Sequence, residues 1–179
     1  MNKKSKRIGL IVLSLVALAT VYYMRSLPMS GNATANTNEF RVQKVVDGDT
    51  IEILKYGRTE KVRLIGIDTP ETLDPRKPVQ CYGKEASNNT KHLLEGQMVK
   101  IETDPLVGER DKYNRILAYV WLDNNKLINL ELISNGYAHE YTYRSQPYKY
   151  QSQFKSAEKS AQSSNLGFWS VQTCNGKTK

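Results

Sequence analysis

Lys61-Val-Arg-Leu-Ile-Gly-Ile-Asp-Thr-Pro-Glu-Thr72 reads as an apolar strand ending in a polar turn. Val62 and Leu64 share one parity, Ile65 and Ile67 the other, so both faces are apolar. That pattern fits a strand covered on two sides, as in a small barrel packed by helices. Yet the stretch also carries Lys61, Arg63, Asp68 and Glu71. Surface ion pairs are a weak reason to place them there, at ~0–1 kcal/mol each. Ligation of a hard metal ion plus acid–base chemistry on an anionic substrate accounts for the Arg, the Asp and the Glu together. Arg63 and Asp68 lie five residues apart, so a regular strand would point them to opposite faces. One shared pocket therefore requires a bulge or bend, expected near Gly66.

Working outward, Phe40 to Val46 and Thr50 to Leu54 are rich in β-branched residues and flank Asp47-Gly48, a hairpin signal. Gly57 marks the next turn, before the strand of the opening stretch. Beyond Thr72 comes a loop with Pro75 and Pro78. Ala86, Thr90, Leu93 and Leu94 then set out a helical stripe over 83–95, which Gly96 ends. Strands are expected over Val99–Thr103 and Ile116–Leu122, a short helix over Leu127–Ser134 and a polar helix over 149–164. Leu166, Phe168 and Trp169 are expected to dock that last helix. The fold class is α+β and β-rich: a five-stranded OB-fold barrel with three helices.

The N-terminus differs from the rest. Lys3, Lys4, Lys6 and Arg7 precede an apolar run over residues 8–24, an export signal or an N-terminal membrane anchor. Ala33-Thr-Ala35 matches a small-residue cleavage site; retained, the run would hold the domain outside the membrane. Residues 25–38 read as a linker. The expected division is 1–35 for signal or anchor plus linker, 38–172 for the folded domain and 173–179 for a C-terminal tail. Five basic residues and no acid fall in 1–35, so a net charge of +8 shrinks to +3 for the remainder. Affinity for nucleic acid must then come from local placement, not a strong global field. The two cysteines, Cys81 and Cys174, lie in the exported part, where a disulfide is expected. Nothing points to an obligate oligomer, so a monomer is expected.

Among residues able to do chemistry, Asp47-Gly-Asp49-Thr is not an EF-hand loop, because Glu52 and Arg58 occupy its sixth and twelfth places. Asp47-Gly48 is read as turn chemistry. Asp49 and Asp68 end strands that a meander brings together, and two carboxylates with a backbone carbonyl and water suit Ca²⁺. Arg63 and Arg115 are the side chains for bidentate phosphate recognition. Lys112 and Tyr113 could meet a terminal phosphate and stack on a base or sugar. No cluster of Cys or His fits zinc, and no nucleophile elbow or phosphate-binding glycine loop is present. His92 and His139 are expected at the surface.

Val46-Asp-Gly-Asp-Thr50, Val62-Arg-Leu-Ile-Gly-Ile-Asp-Thr-Pro-Glu71 and Asp111-Lys-Tyr-Asn-Arg-Ile-Leu-Ala-Tyr119 together resemble the staphylococcal nuclease family. The resemblance runs on through Asn135-Gly-Tyr-Ala138 to Leu166-Gly-Phe-Trp169. It implies an OB-fold, calcium-dependent phosphodiesterase that acts on DNA and RNA and leaves 3′-phosphate ends. By the same likeness, Asp49 and Asp68 would bind Ca²⁺ through carboxylates and Thr69 through its carbonyl. Glu71 would position or deprotonate the attacking water, while Arg63 and Arg115 would hold the scissile phosphate. Lys112 and Tyr113 match the nucleotide-contacting loop. A further substrate-contacting tyrosine falls, by ungapped spacing from Trp169, on Thr142, with Tyr141 and Tyr143 on either side. The rival reading is a non-catalytic nucleic-acid-binding OB module at the cell surface; it gives no role to the full set of three acids and two arginines.

Overall fold

The computed structural model describes residues 39–72 and 78–178. The export or anchor run over 8–24, the linker over 25–38 and the Asp74-Pro75 part of the loop lie outside the described residues. Five strands form the barrel: β1 (Glu39–Val45), β2 (Thr50–Lys55), β3 (Arg58–Leu64), β5 (Met98–Glu102) and β6 (Ile116–Leu122). Their order is β3-β2-β1-β5-β6, and a parallel pairing of β3 with β6 closes the ring. Closure leaves neither β3 nor β6 as an open edge. A two-residue strand β7 (Lys126–Leu127) pairs antiparallel with the end of β6, and a separate ribbon pairs β4 (Ile67–Asp68) with β8 (His139–Glu140).

β1 owes its curvature to an irregularity. Val42 faces Ile53 and Lys44 faces Glu52, so Gln43 is the extra residue of a bulge. The slip moves the buried set from Phe40 and Val42 to Val45. At the β2–β3 turn Tyr56 and Gly57 both have positive φ, as a two-residue hairpin of this hand requires.

The barrel interior holds Ile51, Ile53, Val62, Leu64, Val99, Ala118 and Val120, all but excluded from solvent. Helices α1 (Gly83–Leu94), α2 (Ile128–Ser134) and α3 (Gln151–Ser163) accompany it. On α1, Ala86, Thr90 and Leu94 are buried and Leu93 packs at the margin; on α3, Phe154 and Ala161 are buried with Ala157 beside them. Asn129 of α2 is wholly buried. Its amide donates to the carbonyl of Ile65 at 2.9 Å, and its Oδ1 accepts from Val120 N–H at 2.9 Å. That side chain ties α2 to the end of β3 and to β6, satisfying backbone groups a barrel corner would otherwise strand.

The disulfide forms between Cys81 and Cys174, with Cα atoms 6.0 Å apart and a sequence separation of 93. Residues 173–178 are held besides: Gly176 N–H reaches Phe168 O at 2.9 Å and Cys81 N–H reaches Thr178 O at 3.2 Å.

Candidate active site

The strand of the opening stretch breaks where the two-sided charge pattern requires. β3 ends at Leu64, Ile65 and Gly66 form a turn, and the chain resumes as β4 at Ile67. Gly66 has φ +76°, and a Cβ there would lie 2.7 Å from the Tyr148 ring and 2.9 Å from Phe154. Only glycine combines that conformation with that space. Arg63 staples the bend from within: its Nη1 donates to the carbonyls of Leu64 and Ile67, each at 2.8 Å.

The other guanidinium nitrogen faces two acids. Arg63 Nη2 lies 3.0 Å from Asp49 Oδ2 and 3.2 Å from Asp68 Oδ1. Asp49 is only 6% exposed. The same Oδ2 accepts from Thr69 N–H at 3.2 Å and from the Thr69 hydroxyl at 3.3 Å, and its Oδ1 accepts from Thr50 Oγ1 at 3.0 Å. A buried carboxylate is tolerable only with such a set of partners. Arg115 enters through Thr50, whose Oγ1 is 3.3 Å from its Nη1. Contacts thus run unbroken from Arg115 through Thr50, Asp49 and Arg63 to Asp68, joining β2, β3, β4 and the start of β6.

The turn before β2 is fixed for this purpose. Gly48 packs so tightly on Thr69 that a Cβ there would sit 2.6 Å from Thr69 Oγ1. Thr90 of α1 donates its hydroxyl to Gly48 O at 2.8 Å. Asp47, read from sequence as turn chemistry alone, does cap Asp49 N–H at 3.1 Å, but it also stands beside the Asp49 carboxylate. Burial first, and the Asp49 charge second, push the Asp47 carboxyl up to about 7. A third acid therefore belongs to this corner; the Asp-x-Asp spacing was the signal for it.

Asp111 holds Arg115. Its Oδ2 accepts from Nε of Arg115, and its Oδ1 from the backbone N–H groups of Tyr113 and Arg115. Burial opposes the charge on Asp111, but those hydrogen bonds outweigh it and hold the pKa below the usual carboxylate range. Tyr113 is 69% exposed, with Lys112 Nζ 4.9 Å from its ring centre and Arg115 Cζ 5.5 Å from it on the same loop. Glu71 Oε1 accepts from Thr72 N–H at 2.8 Å. Tyr141 is tied to the bend by its N–H to Gly66 O at 3.0 Å; its ring and that of Tyr143 are 6.5 Å apart and about half exposed. Thr142 is engaged differently, donating to Glu140 and accepting from Gln151. Both tyrosines remain presentable to a ligand and the threonine hydroxyl is committed within the fold.

His92 is exposed, as expected, and His139 is partly so, its side chain 28% exposed. His139 pairs with Asp68 across the β4–β8 ribbon, its ring 4.3 Å from Phe168 and 5.0 Å from Trp169, with Glu158 3.5 Å from Nδ1. An aromatic shelf from a distant segment covers it, which local sequence does not announce.

Among the described residues no group of three or more His, Cys, Asp or Glu side chains is arranged to hold a metal. Two carboxylate oxygens nevertheless converge on one cationic nitrogen, and hard, anionic oxygens are what Ca²⁺ requires. Asp49 and Asp68 supply donors of that type, and here both are paired with the Arg63 guanidinium.

A profile of staphylococcal nuclease homologues matches residues 61–171, starting at the opening stretch. The chain belongs to the staphylococcal nuclease family. It is 40% identical over 172 residues to the thermonuclease of Staphylococcus hyicus, an alignment covering 95% of this chain and 99% of that protein. Against the thermonuclease of Staphylococcus intermedius the figures are 41% over 170 residues, 94% and 99%. Endonuclease YncB of Bacillus subtilis is 38% identical over 130 residues, spanning 72% of this chain and 60% of that protein. The five-stranded barrel with three helices is the nuclease-family OB-fold expected from the sequence.

Proposed function

We propose that this nuclease-family chain is an exported, calcium-dependent phosphodiesterase that hydrolyses DNA and RNA and leaves 3′-phosphate ends. Family membership makes it a nuclease and a hydrolase. The observation that carries the finer reading is the continuous network from Arg115 through Thr50, Asp49 and Arg63 to Asp68. It places two guanidinium groups and two acids on one corner of the barrel.

In this reading Asp49, Asp68 and the carbonyl of Thr69 would hold Ca²⁺, which would supply positive charge to the reacting phosphate. Arg63 and Arg115 bind its non-bridging oxygens and stabilise the charge that builds in the transition state. Glu71 orients a water and takes its proton as the oxygen attacks phosphorus. The bond to the 5′-oxygen breaks, that oxygen acquires a proton from solvent, and a 3′-phosphate remains. Because water is the nucleophile, no 2′-hydroxyl is needed, so DNA and RNA both serve. Lys112, Tyr113 and the Tyr141–Tyr143 pair contact the flanking nucleotide by charge and stacking. The basic and apolar N-terminus, with the Cys81–Cys174 disulfide, supports export, the product being secreted or tethered through residues 8–24. The enzyme acts as a monomer.

The test is incubation of the full chain with single-stranded DNA and with RNA, in calcium or in EGTA, followed by end-group analysis. Calcium-only cleavage to 3′-phosphate ends is expected on both substrates. Equal rates in EGTA, or no cleavage in calcium, would sink the proposal.

A further inference from the structure

We propose that Gln80 is a positioning residue for the reaction: it clamps the main chain of Glu71 and so sets where the Glu71 carboxylate points. This rests on the role given to Glu71 above. The two are nine positions apart in sequence, yet Gln80 holds Glu71 at both of its peptide groups. Gln80 Oε1 accepts from Glu71 N–H at 2.8 Å, and Gln80 N–H donates to Glu71 O at 2.9 Å. Two hydrogen bonds on opposite sides of one residue fix its backbone far better than either alone. The side chain of Glu71 folds back on that backbone, its Oε1 accepting from Thr72 N–H at 2.8 Å, so the carboxylate's direction follows from the clamped peptide.

The clamp is itself anchored on two sides. Gln80 O accepts from Gly83 N–H at 3.0 Å, which opens α1. The helix start then lies flat on the Glu71 segment: a Cβ on Gly83 would be 3.1 Å from the carbonyl oxygens of both Pro70 and Glu71, and 2.8 Å from Thr72 Cγ2. On the other side, the next residue, Cys81, is bound covalently to Cys174, and its N–H reaches Thr178 O at 3.2 Å. Helix and C-terminal segment thus brace the side chain of Gln80 that reaches Glu71 N–H. A general base must be held within a fraction of an ångström of its water, and small misplacements cost rate and not binding.

The experiment uses the full chain with saturating calcium and single-stranded DNA. Gln80→Leu keeps the volume but removes the acceptor; Gln80→Glu keeps an acceptor at the same reach. The Leu variant is expected to lose about tenfold in kcat with KM and calcium midpoint nearly unchanged. The Glu variant should recover most of that loss. In a Glu71→Gln background the Leu substitution should have no further effect, because its only route to the chemistry is gone. Wild-type kcat in Gln80→Leu, with Glu71→Gln slow, overturns this inference and leaves the Glu71 reading intact. A loss that persists in full in the Glu71→Gln background also overturns it, since Gln80 would then act elsewhere. A Glu71→Gln enzyme as fast as wild type overturns both.

Discussion

Asp49 and Asp104 show how single carboxylates are used in this chain. Asp49 is buried because Thr50, Thr69 and Arg63 share its two oxygens, and those partners lead outward to Arg115 and Asp68. Asp104 is buried for structure: it accepts from Tyr119 Oη at 2.7 Å, Lys149 N–H at 2.8 Å and Leu106 N–H at 2.9 Å, closing the loop after β5. Burial opposes its ionisation, but the hydrogen bonds and the Lys149 charge outweigh it, so its pKa lies below the ordinary 3.8. A folded pKa below the unfolded one means the charged form stabilises the fold. That stabilisation is complete above pH 4 and is lost as pH falls through the lowered value. Asp104→Asn is accordingly expected to cost about 1–3 kcal/mol at pH 7 in urea unfolding. Its stability should also vary less than that of wild type below pH 4; parallel curves would contradict the assignment. At this scale much of the site was legible. Arg63 and Asp68 stood out because charge in a two-sided apolar strand demands a partner. Asp47 did not, because turn and ligand chemistry select the same residue, and Gln80 did not, because a polar residue in a loop carries no signal of its own.

At the level of elements, the bend between β3 and β4 does most to build the site. It turns Asp68 back towards Arg63, aligns β4 against β8 and offers Gly66 O to Tyr141 N–H. Gly66→Ala should therefore cost about 2–4 kcal/mol, from the left-handed backbone and from contact with Tyr148 and Phe154. Calcium affinity should weaken alongside, since Asp68 follows the bend. A variant of wild-type stability, measured by urea unfolding, would show the turn to be slack. The need for this bend was readable from parity, because residues five apart cannot share a face of a regular strand. The β4–β8 ribbon was not: two residues per strand leave no period to detect. Nor was the bulge at Gln43, since one slipped residue shifts the buried parity without a turn signal.

At the scale of the folded unit, strand closure and the disulfide do different work. The parallel β3–β6 pairing sets Arg63 opposite Leu117 and so brings the Arg115 loop to the β2–β3 corner. Meander strands were legible one by one, whereas that closing pair joins segments more than 50 residues apart and is a property of the whole barrel. The Cys81–Cys174 bond closes a long loop and constrains the unfolded chain, an effect of about 2–5 kcal/mol. Unfolding in urea with and without reductant should show a loss of that order, and superimposable curves would mean the bond stabilises nothing. The central claim is that the barrel brings Arg115 to the same phosphate as Arg63, through the Thr50–Asp49 bridge. It is tested most directly by the turnover rate of Arg115→Ala on single-stranded DNA at saturating calcium. The account predicts a fall of about 10²–10³ in kcat, as for loss of one donor to a developing charge, in a protein that still folds and binds calcium. A near-wild-type rate would contradict it and leave Arg115 as a structural partner of Asp111 and Thr50.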